Sequence, residues 1–467
     1  MVFANLIFLY IFLPLNLIFY LVWNNRTYRN IVLILFSLAF YTWGEPIWVT
    51  LLIFSATLDY INGLIIEKHK GKPLAVIALI ASVVINIGIL ATFKYSGFFV
   101  QNLNTVLGLS LPVPSFSLPI GISFYTFQTL SYTIDVYRGK VSAQPSYIKF
   151  LMYVSMFPQL VAGPIVRYSV MENQIDTRTV SIYDLTVGFN YFCAGLAKKV
   201  LIANWAGMFV TQYLDGDLTM LSAAQAWFGI IMFAIQIYFD FSGYSDMATG
   251  LARMLGFRFE RNFNYPYVAK TLTDFWRRWH ISMSSFFRDY VYIPLGGNRS
   301  HWLRNIIITW FLTGLWHGAS WNYILWGLYF GFFLVLEKLV YGKFFEEFAP
   351  LGHIYRSFMV TISWAIFYFC DMHRLGLFFK ALFGFNPNAS SNLQLLVVLA
   401  NNIFWLIIAV IFSTPVTQWM YKKIRAAEPS MRFFFQSLQL GINIVLVFIC
   451  TCALVGQSYN PFLYFKF

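Results

Sequence analysis

Residues 306–336 read IIITWFLTGLWHGASWNYILWGLYFGFFLVL, thirty-one positions without an Asp, Glu, Lys or Arg, and with His317 near their centre. Arg304 and Asn305 stand before the run, and Glu337 and Lys338 follow it. An uncharged stretch of this length reads as a membrane-embedded helix, and the pattern predicts one helix over 305–338 carrying His317. An ionisable group so deep is costly against lipid, so it should face a cavity or a partner. Gly314 and Gly318 lie within one turn of it and allow close approach of another helix or a substrate.

The rest of the chain agrees. Of 467 residues, 59% are hydrophobic and only 11% charged, against roughly 25% charged in soluble domains. Such a composition leaves too little polar surface to cover a soluble core, whereas lipid as outer solvent removes the difficulty. The reading is an all-α, polytopic integral membrane protein, with 1–467 as a single membrane domain. Residues 2–23 are apolar but are followed by Asn24, Asn25 and Arg26, not by a small-residue cleavage site. They read as a retained first helix. The net charge of +13 fits Lys and Arg in cytoplasmic loops facing anionic lipid, with no nucleic-acid partner. Cys193, Cys370, Cys450 and Cys452 lack metal-ligand spacing, and no metal site is expected.

Apolar segments recur at 2–23, 31–43, 47–66 and 74–93. The loops between them hold Arg26, Arg29, Lys68, Lys70 and Lys72, which places those loops in the cytoplasm and the N-terminus outside. Segment 31–43 is short for a span and should tilt or lie partly below the surface. Stretches at 118–136, 147–166 and 183–213 hold Pro119, Gly121, Pro158, Gly163 and Pro164, and Lys198-Lys199 interrupts the last. Interrupted helices at membrane depth need protein or a cavity around them. Cleaner helices are expected at 222–241, 305–336, 354–370, 394–413 and 434–456. Between the first two lies 251–304, with nine basic and three acidic residues interleaved with aromatics such as Phe257, Trp276, Trp279 and Phe287. This predicts helices at the cytoplasmic interface.

Several residues can carry chemistry. A neutral His317 can accept a proton from a hydroxyl attacking a thioester; a histidine bonded to a neighbouring helix purely for packing fits equally. His280, after Arg277-Arg278, is either a second active-site group or a residue that fixes the cytoplasmic face. Arg277 and Arg278 suit the phosphates of a nucleotide-bearing donor, or equally lipid headgroups. Gln236, Asp240, Ser242 and Asp246 are polar where a lipid-facing helix would be apolar. With Asp274 they read as a buried structural network, paired with arginines of 251–304, rather than as an acid–base pair. Asp240 and Asp246 share no helix face unless Gly243 breaks the helix.

FWRRWHISMSSFFRDYVYIPLGGNR followed by LTGLWHGASWNYILWG resembles the signature of the membrane-bound O-acyltransferase family. YFDFSGYSDMATGLARMLGF, LPIGISFYTFQTLSYTIDVYRG, FPQLVAGPIVRY and the closing PFLYFKF narrow the likeness to a bacterial branch. That branch serves O-acetylation of alginate, peptidoglycan or cell-wall polysaccharides, with teichoic-acid D-alanylation as a cousin. The resemblance implies a ring of transmembrane, re-entrant and interfacial helices around a thin central region with funnels. It implies His317 as the family histidine and His280 as the second, more variable position. It further implies acetyl-CoA as donor substrate with no bound cofactor, and location in the bacterial inner membrane. Its implied partners are an extracytoplasmic SGNH-like transferase and a polysaccharide as final acceptor. Asn322 and Tyr323, expected one to two turns along the same helix, are candidates to polarise the thioester carbonyl. The rivals are D-alanyl transfer, a lipid or protein acyltransferase, and a non-enzymatic transporter.

Overall fold

Long apolar segments can satisfy their backbone groups in lipid only as helices or closed barrels, and here they are helical. The computed structural model describes residues 1–467 except 162, 388, 390, 427, 457–461 and 464–467. Of the quoted motifs, Ala162 and all of the closing PFLYFKF except Phe462 and Leu463 lie outside the described residues. Among the described residues every regular element is a helix, and seven helices are long and apolar enough to cross a membrane. The protein is all-α and polytopic.

The chain opens with α1 (Leu13–Val22), α2 (Arg26–Thr42), α3 (Val49–Lys68), α4 (Pro73–Leu107) and α5 (Ile122–Tyr137). Next come α6 (Tyr147–Ser155), α7 (Phe157–Leu160), α8 (Tyr168–Thr177), α9 (Ile182–Ala197), α10 (Asn204–Leu214) and α11 (Ala223–Met254). The later part holds α12 (Leu272–Arg278), α13 (Ile281–Phe287), α14 (Trp302–His317), α15 (Trp321–Leu336) and α16 (Gly342–Glu347). It closes with α17 (Ala349–Tyr368), α18 (Met372–Leu382), α19 (Leu393–Phe412), α20 (Val416–Ala426) and α21 (Pro429–Val455).

These helices cluster into two compact units. One comprises Met1–Phe192 with Tyr244–Arg261, the other Cys193–Gly243 with Asn262–Phe467. The boundaries at 192 and 243 fall inside α9 and α11 rather than in linkers.

In the first unit α5 is buried on nearly every side, with 13 of its 16 residues inaccessible. Gly63 on α3 lets it approach; a Cβ there would come within 2.5 Å of the Tyr132 hydroxyl oxygen. Asp59 ties α3 to α4 by accepting from Ser82 Oγ at 2.6 Å and Asn86 Nδ2 at 2.8 Å. The segment expected at 74–93 is the much longer α4, which continues to a left-handed Gly108 because nothing before that residue breaks it.

Two further expectations change. Lys198-Lys199 does not interrupt its helix. A π-helical turn at Lys198–Ala203 joins α9 to α10, giving a continuous span over Ile182–Leu214. Nor does the next helix end at 241, because α11 runs unbroken through Gly243. Gly243 serves packing instead: a Cβ on it would lie 2.8 Å from the Gly195 carbonyl oxygen. Asp240 and Asp246 therefore point to different faces. In that helix's hydrophobic window 83% of residues are buried, against 11% for α19, so α19 is the one whose apolar side chains face outward.

Candidate active site

The predicted single helix over 305–338 is two helices. α14 ends at His317, Gly318 is extended with φ −172°, and α15 restarts at Trp321. Hydrophobicity alone hides this turn, since Gly318-Ala319-Ser320 carries no charge. The two helices pack as a hairpin through glycine. A Cβ on Gly314 would lie 2.3 Å from the Tyr323 carbonyl oxygen, and one on Gly327 would lie 2.3 Å from that of Trp310. Backbone meets backbone here. Asn322 and Tyr323 thus stand on the opposing helix, not further along the one that carries His317.

The break puts His317 at a helix end, inside an aromatic cage. It is 5% exposed, and its ring meets Trp316, Trp326 and Phe367 edge-on at 5.0, 4.9 and 5.3 Å between centroids. Tyr323 closes over the break, since a Cβ on Gly318 would come within 2.3 Å of its ring. Its ring also lies 5.0 Å from Phe367. The Cys370 thiol donates to the Tyr323 hydroxyl at 3.8 Å. Asn322 is committed elsewhere: its Nδ2 donates to the carbonyls of Phe367 at 3.0 Å and Ile366 at 3.3 Å. That amide holds α17 in place and is not spare to polarise a carbonyl.

His280 lies in a different environment. It caps α13 in the left-handed region with φ 44° and is fully buried. Asn262 Oδ1 accepts from the Ser282 backbone N–H at 3.2 Å and from Ser282 Oγ at 2.9 Å. This fixes it as the amide oxygen, so His280 Nδ1, also 3.2 Å away, donates to it and Nε2 holds the lone pair. Burial pushes the His280 pKa down to about 3, which keeps the ring neutral. Phe241 packs edge-on against it at 4.6 Å, and Trp316 lies 6.2 Å away. Trp316 is therefore the ring that both histidines share.

A cavity of about 500 Å³ opens beside the hairpin; its lining includes Trp276, Thr309, Trp310 and Thr313, the basic Arg277, Arg288, Lys338 and Lys343, and the acidic Glu337 and Glu346. Thr309, Thr313 and His317 follow at four-residue intervals, which aligns them along one side of α14. Glu337, buried, accepts from the backbone N–H groups of Leu272 at 2.7 Å and Thr273 at 2.9 Å. A carboxylate at that position satisfies the open donors of α12 and complements its dipole. It thereby sets the helix that carries Trp276 and Arg277.

The two arginines have separate fates. Arg278 is bound through Nε to both oxygens of Asp274 at 2.9 Å, and Arg288 pairs with Asp289 at 2.6 Å. Lys338 donates to Asn298 Oδ1 at 2.8 Å. Among the described residues Arg277 and Lys343 have no such partner. The aromatics of 251–304 also turn inward: Phe257, Phe263, Trp276, Trp279, Phe286 and Phe287 are all buried. They are core, because the short helices here pack over other helices.

Of the polar residues of α11, Asp240, expected to pair with arginines of 251–304, meets a lysine instead. Asp240 pairs with Lys199 at 2.5 Å and accepts from the Leu463 N–H at 2.8 Å. A lysine in the π-helical turn reaches it, which spacing along the chain could not reveal. Gln236 lies against Gly207, Ser242 is buried and Asp246 half-buried. Sequence reasoning missed Asn262, Trp326, Phe367 and Lys199. Only Lys199, a charge inside an apolar run, left a readable signal. Among the described residues no three His, Cys, Asp or Glu side chains gather as metal ligands.

Known proteins resemble this chain over its whole length. The sequence profile of MBOAT, the membrane-bound O-acyltransferase family, matches residues 137–379. The chain is 36% identical to the protein named "Probable alginate O-acetylase AlgI" of Pseudomonas putida, over 100% of both chains. It is 34% identical to the peptidoglycan O-acetyltransferase of Helicobacter pylori, over 72% of this chain and 70% of that one. It is 30% identical to the teichoic acid D-alanyltransferase of Bacillus subtilis, over 45% and 56%. The chain belongs to the membrane-bound O-acyltransferase family and is a multi-pass membrane acyltransferase.

Proposed function

We propose that this enzyme takes acetyl from cytoplasmic acetyl-CoA and passes it across the membrane for O-acetylation of an extracytoplasmic polysaccharide. The whole chain acts as one domain in the inner membrane, with its N-terminus outside. The observation that carries the reading is His317 in its aromatic cage at a helix break, one turn beyond Thr313, which lines a cavity holding four basic side chains. The names of the two high-coverage relatives favour acetyl over D-alanyl.

In the proposed reaction a hydroxyl attacks the thioester carbonyl carbon. The C–O bond forms, the C–S bond breaks, and His317 takes the hydroxyl proton and gives it to the departing thiolate. The cage excludes water, which would otherwise compete as nucleophile. Arg277 and Lys343, which line the cavity, suit the donor's phosphates. His280, anchored by Asn262, acts as a positioning residue that supports Trp316. The acceptor hydroxyl is supplied by an extracytoplasmic transferase of the SGNH type, which then modifies the polymer.

The test uses purified full-length protein with labelled acetyl-CoA, D-alanyl donor and palmitoyl-CoA. Label transfer from acetyl-CoA alone is expected. Use of palmitoyl-CoA but not acetyl-CoA would overturn the reading, and unchanged polymer acetylation in cells carrying a folded His317→Ala enzyme would favour a transporter.

A further inference from the structure

Two adjacent asparagines sit inside α19, the helix whose apolar side chains face outward, and they meet different surroundings. Leu393–Phe412 holds no Asp, Glu, Lys or Arg, and its only amide side chains are Gln394, Asn401 and Asn402. Asn402 is used within the chain: its Oδ1 accepts from Trp205 Nε1 at 3.1 Å, and its Nδ2 donates to the Val398 carbonyl at 2.9 Å. Trp405, on the same side, donates to the Leu201 carbonyl at 2.9 Å, and Leu395 and Ala409 there are buried. Asn401 is turned away from that side. It is exposed, and among the described residues its amide makes no hydrogen bond. It stands about 12 Å from one end of the helix and about 16 Å from the other, too deep for so short a side chain to reach the headgroups. An amide facing hydrocarbon there is costly, and polar side chains at such depth serve to bond a neighbouring helix.

Gln394, Val397, Asn401, Phe404, Ile408 and Ile411 follow at alternating steps of three and four residues, and all six are exposed. That spacing makes one seam, of the kind along which two helices cross at about 20°. We propose that this seam pairs with the same seam of a second copy of this chain, Asn401 against Asn401. Copies of one chain enter the membrane in one orientation. A two-fold axis along the membrane normal therefore sets their α19 helices parallel and brings equal residues to equal depth. An amide both donates and accepts, so each Asn401 satisfies the other, and Gln394 repeats the pairing two turns away. A different protein would need a matching polar group at this depth on its own span, whereas a second copy brings one with it. An asparagine in an otherwise apolar seam also fixes the register of the two helices.

The experiment places the full chain in lipid vesicles and measures energy transfer between donor- and acceptor-labelled copies as the protein is diluted into lipid. Wild type should associate. Asn401→Leu, which leaves the span apolar, should weaken association about tenfold, as for loss of interhelical hydrogen bonding, and Asn401→Gln should keep most of it. Independently, Phe404→Cys or Ile408→Cys should form a disulfide between copies on oxidation, above the background of the native cysteines. Ile403→Cys and Val410→Cys, on the opposite side of the helix, should not. Transfer that is absent at every protein density, or that Asn401→Leu leaves unchanged, would overturn the proposal. So would disulfides through Ile403→Cys or Val410→Cys with none through the seam. A wild type that stays monomeric alone, yet is linked through Phe404→Cys to a different protein in native membranes, would overturn it too and assign the seam to that protein.

Discussion

The two buried histidines of the second unit show two ways of keeping an imidazole in a place without water. His280 is held by hydrogen bonds: Asn262 Oδ1 accepts one from its Nδ1–H, and Ser282 fixes the orientation of Asn262. His317 is held by shape, between Trp316, Trp326 and Phe367 at a helix break. A hydrogen-bonded ring has its tautomer chosen for it and suits support. A ring seated among aromatic rings at a helix end suits the proposed base. The contrast separates the proposed roles better than either residue's burial, which is nearly the same.

The most severe break in this contrast is at His317 itself. His317→Gln keeps a polar group of similar size and should lower acetyl transfer about 10³-fold, as for loss of a general base, with the thermal unfolding midpoint little changed. Gly314→Val should wedge the hairpin against the Tyr323 carbonyl and destabilise the protein by about 3 kcal/mol, visible as early unfolding in detergent. Asn262→Ala should cost about 1–3 kcal/mol by leaving a buried imidazole donor unmet. Its effect on transfer should be far smaller than that of His317→Gln. If the two losses were equal, the division into base and support would fail.

A smaller effect follows from pH. The folded-state pKa of His280 lies near 3, below its ordinary 6.5. Above pH 6.5 the ring is neutral in both states and contributes no pH dependence. As pH falls from 6.5 towards 3 the unfolded chain gains a proton that the folded one refuses. Stability then drops by up to about 1.4 kcal/mol per pH unit. His280→Asn should flatten that part of the stability profile, measured by unfolding at successive pH values.

Much of the architecture was legible in the residues. The uncharged run around His317 announced the membrane, and the spacing of Gly314 foretold a tight helix contact. The turn after His317 was not read, although Gly318 and Ser320 are a helix stop and a start residue; their neighbours are so apolar that period and length argued for continuity. Asp240 was recognised as buried and paired, but its partner proved to be Lys199, because a π-helical turn rotates that side chain in a way no residue pattern encodes. Arg277 and Arg278 are adjacent and chemically equal in sequence. Asp274, four residues before Arg278, is the readable signal that separates them: on the helix it ties Arg278 and leaves Arg277 to the cavity.

The contact between Gly314 and Gly327 also bears on how this protein can change over time. Each residue leaves room for the other's backbone, with their Cα atoms close enough that a methyl on either would fall about 3 Å from the other. A side chain on either would also meet a backbone carbonyl of the facing helix, that of Tyr323 or of Trp310, so a change at one is not relieved by a change at the other. Any substitution here has to part the two helices at the place where the histidine stands.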